Sequence, residues 1–211
     1  LEFRRVLFRS STVVSKLDDT PLVELLMDNA STTPIDQILG GVTGDDNAKA
    51  EIINANLISE IIRKMPMNQT YYGKMSELLK RLIGERRLGA LSYAEYLRQV
   101  TELARRIHSP EETENYPVPI RDSQAKRALY DFAKEQSDFD GLNIEDVASQ
   151  VHLAIVDVAE VGWLSNRAKQ QRIKNAIAQT LEDYELLEPR IDQLVEQIYE
   201  LATRQEEYFD D

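Results

Sequence analysis

The stretch Asn68 to Ile107 reads NQTYYGKMSELLKRLIGERRLGALSYAEYLRQVTELARRI, and its pattern decides the fold class. Over 70–88, Tyr71, Met75, Leu78, Leu79, Leu82 and Ile83 recur at three- and four-residue intervals, while Lys74, Glu77, Lys80, Arg81 and Glu85 fall elsewhere. Such spacing lines one side of a helix with apolar groups. Gly89 supplies a stop, because glycine readily takes the left-handed backbone that ends a helix. Ser92 and Glu95 then stand at capping-box spacing and open a second helix over 93–107, with Tyr96, Leu97, Val100, Leu103, Ala104 and Ile107 on its apolar side. Two amphipathic helices joined by a few residues bury their stripes most simply by packing antiparallel. Residues 70–107 are therefore predicted to form a helical hairpin.

Upstream, Ile53, Leu57, Ile61 and Met65 recur every four residues after Asp45 and Asp46, with Ile58 and Ile62 widening the stripe, until Pro66 ends the helix. Downstream, the prolines and carboxylates of 109–122 predict a loop. Helical periodicity resumes over 123–136, with Ala125, Leu129, Phe132 and Ala133, and over 144–161, with Ile144, Val147, Val151, Ala154, Ile155 and Val158. Asn143 can cap the latter, and Gly162 interrupts it before Trp163. Two further helices are expected at 166–184, carrying Ile173, Ala176, Ile177, Thr180 and Leu181, and at 189–204, opened by Pro189 and carrying Ile191, Leu194, Val195, Ile198 and Leu201. No strand-like alternation and no repeat of fixed period is present. The predicted fold is all-α, a bundle of about seven amphipathic helices with the hairpin at 70–107.

The 211 residues suit one domain with an appendage. Residues 45–211 form the expected C-terminal helical domain, and 11–44 a connector, in which Thr20-Pro21 and Thr33-Pro34 can start short helices at about 21–28 and 34–39. Leu1 to Ser10, LEFRRVLFRS, reads as the in-frame translation of a sequencing adapter, an artefact that leaves Ser11 onward as the tail of a longer protein. The chain carries a net charge of −12, and residues 11–211 carry −14 once the three arginines and one glutamate of that segment are removed. Such an excess of carboxylates repels phosphate backbones and acidic membranes. With no cysteine, disulfides and thiolate catalysis are excluded, and a reducing, cytoplasmic location is expected. Apolar runs such as Leu153-Ala154-Ile155-Val156 fall far short of the roughly 20 residues that cross a bilayer.

The sequence offers little chemistry. A P-loop needs glycines followed by lysine and Ser or Thr, but Gly73-Lys74 is followed by Met75. No serine lies between two nearby glycines as a nucleophile elbow requires, and none of the nine lysines has Asp or Glu two positions earlier, the spacing common in metal-dependent nucleases. His108 and His152 lack clustered partners for a metal, and the pairs Glu111-Glu112 and Glu206-Glu207 sit in solvated charge runs. Arg167, Lys169, Arg172 and Lys174 are the best candidates for nucleic-acid contact, yet on a helical wheel they split to either side of the apolar stripe. Arg81, Arg86 and Arg87 read as an ordinary exposed helix end, and Trp163 as a core anchor. No residue is assigned a catalytic, cofactor-binding or metal-ligating role.

The stretch Asn68 to Ile107 closely resembles the C-terminal helical region of the restriction (R) subunit of type I restriction-modification enzymes, through Tyr71-Tyr72, the MSELL run Met75 to Leu79, Arg86-Arg87 and the LSYAEYL run Leu91 to Leu97. Pro21 to Leu26, Gly162 to Ala178 and Ile198-Tyr199 are also similar to the family, so the resemblance covers nearly all of 11–208. It implies a multisubunit enzyme that uses ATP and magnesium to translocate and cut duplex DNA, with modification and specificity subunits as partners. Its C-terminal region is associated with docking on the modification subunit, and the ATPase and nuclease motifs of the family match no position here. The hairpin from Tyr71 to Ile107 is the first expectation for the docking surface. A free-standing helical protein-interaction module is the alternative.

Overall fold

Seven long α-helices form the body of the computed structural model, which describes residues 45–186 and 190–209. They are α1 (Asp46–Lys64), α2 (Gln69–Arg87), α3 (Tyr93–His108), α6 (Gln124–Lys134), α7 (Ile144–Val158), α8 (Arg167–Asp183) and α9 (Arg190–Ala202). The remaining two, α4 (Pro110–Thr113) and α5 (Val118–Arg121), are single turns. The all-α class and the seven amphipathic helices agree with the sequence pattern, and no strand occurs among the described residues. The adapter-like segment, the connector, its two short helices and Pro189 lie outside those residues.

Side-chain caps set most of the helix starts. Asp45 accepts from the amides of Asn47 and Ala48, Asn68 from Tyr71, Ser92 from Glu95, Ser123 from Lys126, and Asn166 from Ala168 and Lys169. Each such cap is worth about 1 kcal/mol. Asn143 caps α7 as expected, but the helix ends at Val158 rather than running to 161. The expectation of a plain loop over 109–122 is corrected by α4 and α5. Pro110 starts α4 and Pro119 lies in the first turn of α5, where a missing amide hydrogen costs nothing, and Ile120 is buried.

The helices enclose two apolar cores. In the first, α1, α2 and α3 bring together Ile53, Leu57, Ile61, Met75, Leu79, Tyr96, Val100 and Ile107. The hairpin is thus present, but its apolar sides pack inward on α1 and on each other. Ile62, expected to widen the α1 stripe, instead stands 60% exposed, because one helical step of about 100° turns it away from buried Ile61. In the second core, α6 to α9 enclose Leu129, Val147, Val151, Ile155, Ile173, Ile177, Leu194 and Ile198 around Trp163. Each fully buried Ile or Leu contributes about 1.5–3 kcal/mol of transfer free energy.

Candidate functional site

Polar side chains that the sequence pattern did not single out join the two cores. Asp131 Oδ2, on α6, accepts from Asn68 Nδ2 at 2.7 Å and from the Tyr116 hydroxyl at 2.7 Å. Burial raises the Asp131 pKa above the ordinary aspartate range, with the two hydrogen bonds and the nearby Lys74 and Lys134 charges opposing that rise. Beside it, the Tyr71 hydroxyl lies 2.9 Å from Arg106 O and 3.2 Å from Glu114 Oε1, and Arg106 Nε donates to the same Glu114 oxygen at 2.7 Å. Lys74 and Glu135 form an ion pair at 2.5 Å across the boundary. These groups are engaged with one another, so their chemistry here is fastening.

The C-terminal segment makes a second fastening. Gln205, fully buried, donates through Nε2 to Met67 O at 2.8 Å. Glu207 accepts from the Ser123 hydroxyl at 2.5 Å and from the Ala125 amide at 3.0 Å, which makes it a second cap on α6. Glu206 and Glu207 are exposed, as expected, and Glu207 in addition sits against a helix start. Trp163, 2% exposed, donates from Nε1 to Tyr208 O at 2.7 Å and packs edge-on to Tyr199, in keeping with a core anchor.

The histidines stand far apart in role. His108 is exposed at the end of α3, while His152 Nδ1 lies 3.0 Å from the Tyr208 hydroxyl. Burial holds the His152 pKa below the usual histidine value. No group of His, Cys, Asp and Glu among the described residues could hold a metal ion. Glu111 faces Arg127 at 3.7 Å in an open cleft of about 450 Å³ between the two cores. Its cations serve neighbouring backbone: Lys64 donates to Ile107 O and Arg127 to Arg121 O.

Three of the four basic candidates on α8 are likewise engaged. Lys169 and Arg172 share Glu160, at 3.1 and 2.6 Å, and Lys174 pairs with Glu196 at 2.6 Å while lying 4.5 Å from the Tyr199 ring centre. Arg167 is exposed at the start of the helix. Arg86 and Arg87 are not an idle helix end. Arg86 donates to Asn47 Oδ1 and stacks over Tyr96, and Arg87 pairs with Glu51, so both tie α2 to α1.

Ile62, Leu88 and Val118 are exposed apolar residues on other elements. Leu153 and Val156 lie on the outer side of α7, at 48% and 45% exposure, and Val161 and Leu164 flank Trp163 in the following turn. The hairpin's outer side instead carries ion pairs, Glu77 with Lys80, Glu95 with Arg98 and Glu102 with Arg105. No described helix is long and apolar enough to cross a membrane. Comparison of the chain with protein-family models, with curated proteins and with solved structures finds no match.

Proposed function

We propose that this chain is a C-terminal assembly domain of a type I restriction endonuclease R subunit, acting in the cytoplasm by docking on the modification subunit. The observation that carries the reading is the sequence likeness of Asn68 to Ile107 to that region of the family. In the parent enzyme, ATP hydrolysis, magnesium-dependent cleavage and target reading would belong to other domains and subunits, and duplex DNA would be met through the complex.

The physical character of the domain suits such a role. The Asn68–Asp131–Tyr116 cluster, the Lys74–Glu135 pair and the Gln205–Met67 bond fasten the two cores to each other. A surface held in one shape loses less conformational freedom when a partner docks. The basic side chains of α8 are largely matched by carboxylates, which favours protein docking over duplex binding in a chain of net charge −12.

Sequencing the source DNA upstream of the Ser11 codon tests the reading. In-frame helicase and nuclease motifs are the expected result. A native start codon close to Ser11 would contradict it and favour a free-standing interaction module.

A further inference from the structure

We propose that the segment Gln205 to Phe209 is a pH-sensitive strap, which lets go of α6, α7 and the Trp163 turn when His152 takes up a proton, while the helices stay folded. The segment follows α9 and contains a single 3-10 turn, Glu206–Tyr208. Its hold on the rest of the domain consists of separate bonds. Gln205 Nε2 donates to Met67 O at 2.8 Å and Gln124 Nε2 donates to Gln205 Oε1 at 3.3 Å. Glu207 accepts from the Ser123 hydroxyl and the Ala125 amide, Trp163 Nε1 donates to Tyr208 O, and the Tyr208 hydroxyl lies 3.0 Å from His152 Nδ1. Breaking these bonds disrupts no helix ladder, so the segment can open as one local unit.

The bond between Tyr208 and His152 depends on a neutral ring. Tyr208 is 2% exposed, and its hydroxyl has no second hydrogen-bond partner among the described residues. The buried O–H is satisfied only by donating to Nδ1, which leaves the proton of the neutral ring on Nε2. A protonated ring carries N–H at both nitrogens, so Nδ1 no longer accepts and the buried hydroxyl hydrogen has no partner. Burial, and then Lys126 on α6, also disfavour the charged ring, whereas Glu207 on the segment itself favours it. Both oxygens of Glu207 are already engaged, one by Ser123 and the other by Ala125, and the net effect still opposes protonation in place. A ring that resists the proton while covered, and accepts it once water reaches it, makes the open form the proton-binding one. Falling pH therefore pulls the equilibrium toward release.

Release uncovers Trp163, which is 2% exposed and packs on Phe209 with ring centres 6.0 Å apart. It also undoes the Gln205–Met67 bond, one of the fastenings between the two cores. Trp163 is the only tryptophan, so its emission reports on the strap. On titration of the 211-residue chain from neutral to mildly acid pH, that emission is expected to move to longer wavelength as pH falls below the ordinary histidine range, with far-ultraviolet circular dichroism constant. Hydrogen exchange at the Ala125 amide, corrected for its intrinsic pH dependence, should quicken over the same interval. His152→Gln, whose side-chain oxygen can still accept from Tyr208, should remove both changes. Lys126→Gln should reduce them at a given pH, because the ring is then protonated more readily in place. If His152→Gln is already shifted at neutral pH, Lys126→Gln decides alone. Emission that moves only with loss of helix, unchanged protection of the Ala125 amide, or changes undiminished in either variant would overturn the proposal.

Discussion

Asn68 Nδ2 donates to Asp131 Oδ2 at 2.7 Å, joining the residue that caps α2 to the middle of α6 across the boundary between the two cores. The same carboxylate oxygen accepts from Tyr116, and both donors belong to buried residues. Asp131→Ala would strand those donors away from water. It is expected to cost about 1–3 kcal/mol, read as a lower urea midpoint at unchanged slope. A midpoint within error of the unmodified chain would show that the junction is not fastened there.

Two groups should leave opposite marks on stability as pH falls. Burial lowers the His152 pKa, so its contribution is complete above the ordinary histidine range and is lost as pH falls through and below that range. Burial raises the Asp131 pKa, so its contribution is complete below the ordinary aspartate range and is lost as pH rises through its raised value. Thermal melts in steps from neutral to acid pH should therefore show the His152→Gln variant flatter around the histidine range. The Asp131→Asn variant should lack the opposing gain around the aspartate range. Identical pH profiles for both variants and the unmodified chain would rule this out.

Adjacent residues of α1 should behave very differently. Ile61 is 3% exposed and Ile62 60%. Ile61→Ala is expected to cost about 2–5 kcal/mol through lost burial and a residual cavity, and Ile62→Ala to stay within about 0.5 kcal/mol. Comparable losses for the two would mean that the helix is rotated from the orientation described.

The Trp163 turn depends on backbone handedness as well as packing. Gly162 has φ of +73°, and an added Cβ would meet nothing closer than Ser165 Oγ at 3.9 Å. Gly162→Ala should therefore cost about 1–2 kcal/mol from conformation alone. Trp163→Phe should add a separate loss by removing the donor to Tyr208 O. Chemical denaturation of both single variants measures the two terms, and a stabilising Gly162→Ala would refute the conformational argument.

The hairpin was legible in the sequence because its apolar side chains repeat at helical spacing and its start at Ser92 carries a local cap. The same periodicity places Ile155 inside, but it does not distinguish an outer residue such as Leu153 or Val156 that faces water from one covered by another helix. That depends on which elements pack around α7. The Asn68–Asp131 bond spans 63 residues and the Gln205–Met67 bond 138, so neither leaves a local pattern. Glu207 was hidden for the same reason: its cap serves a helix 82 residues earlier. The short helices α4 and α5 were missed because proline marks both a loop and a first helical turn.

Competition with the complete enzyme tests the assembly role most directly. The purified 211-residue chain is added in increasing excess to a reconstituted type I system of its own kind, and cleavage and methylation are followed together. A docking domain without the translocating and cutting parts should displace complete R subunits, so ATP-dependent cleavage should fall with added chain while methylation continues. Cleavage that is unchanged at large excess, with the chain shown to be folded, would contradict the assembly role.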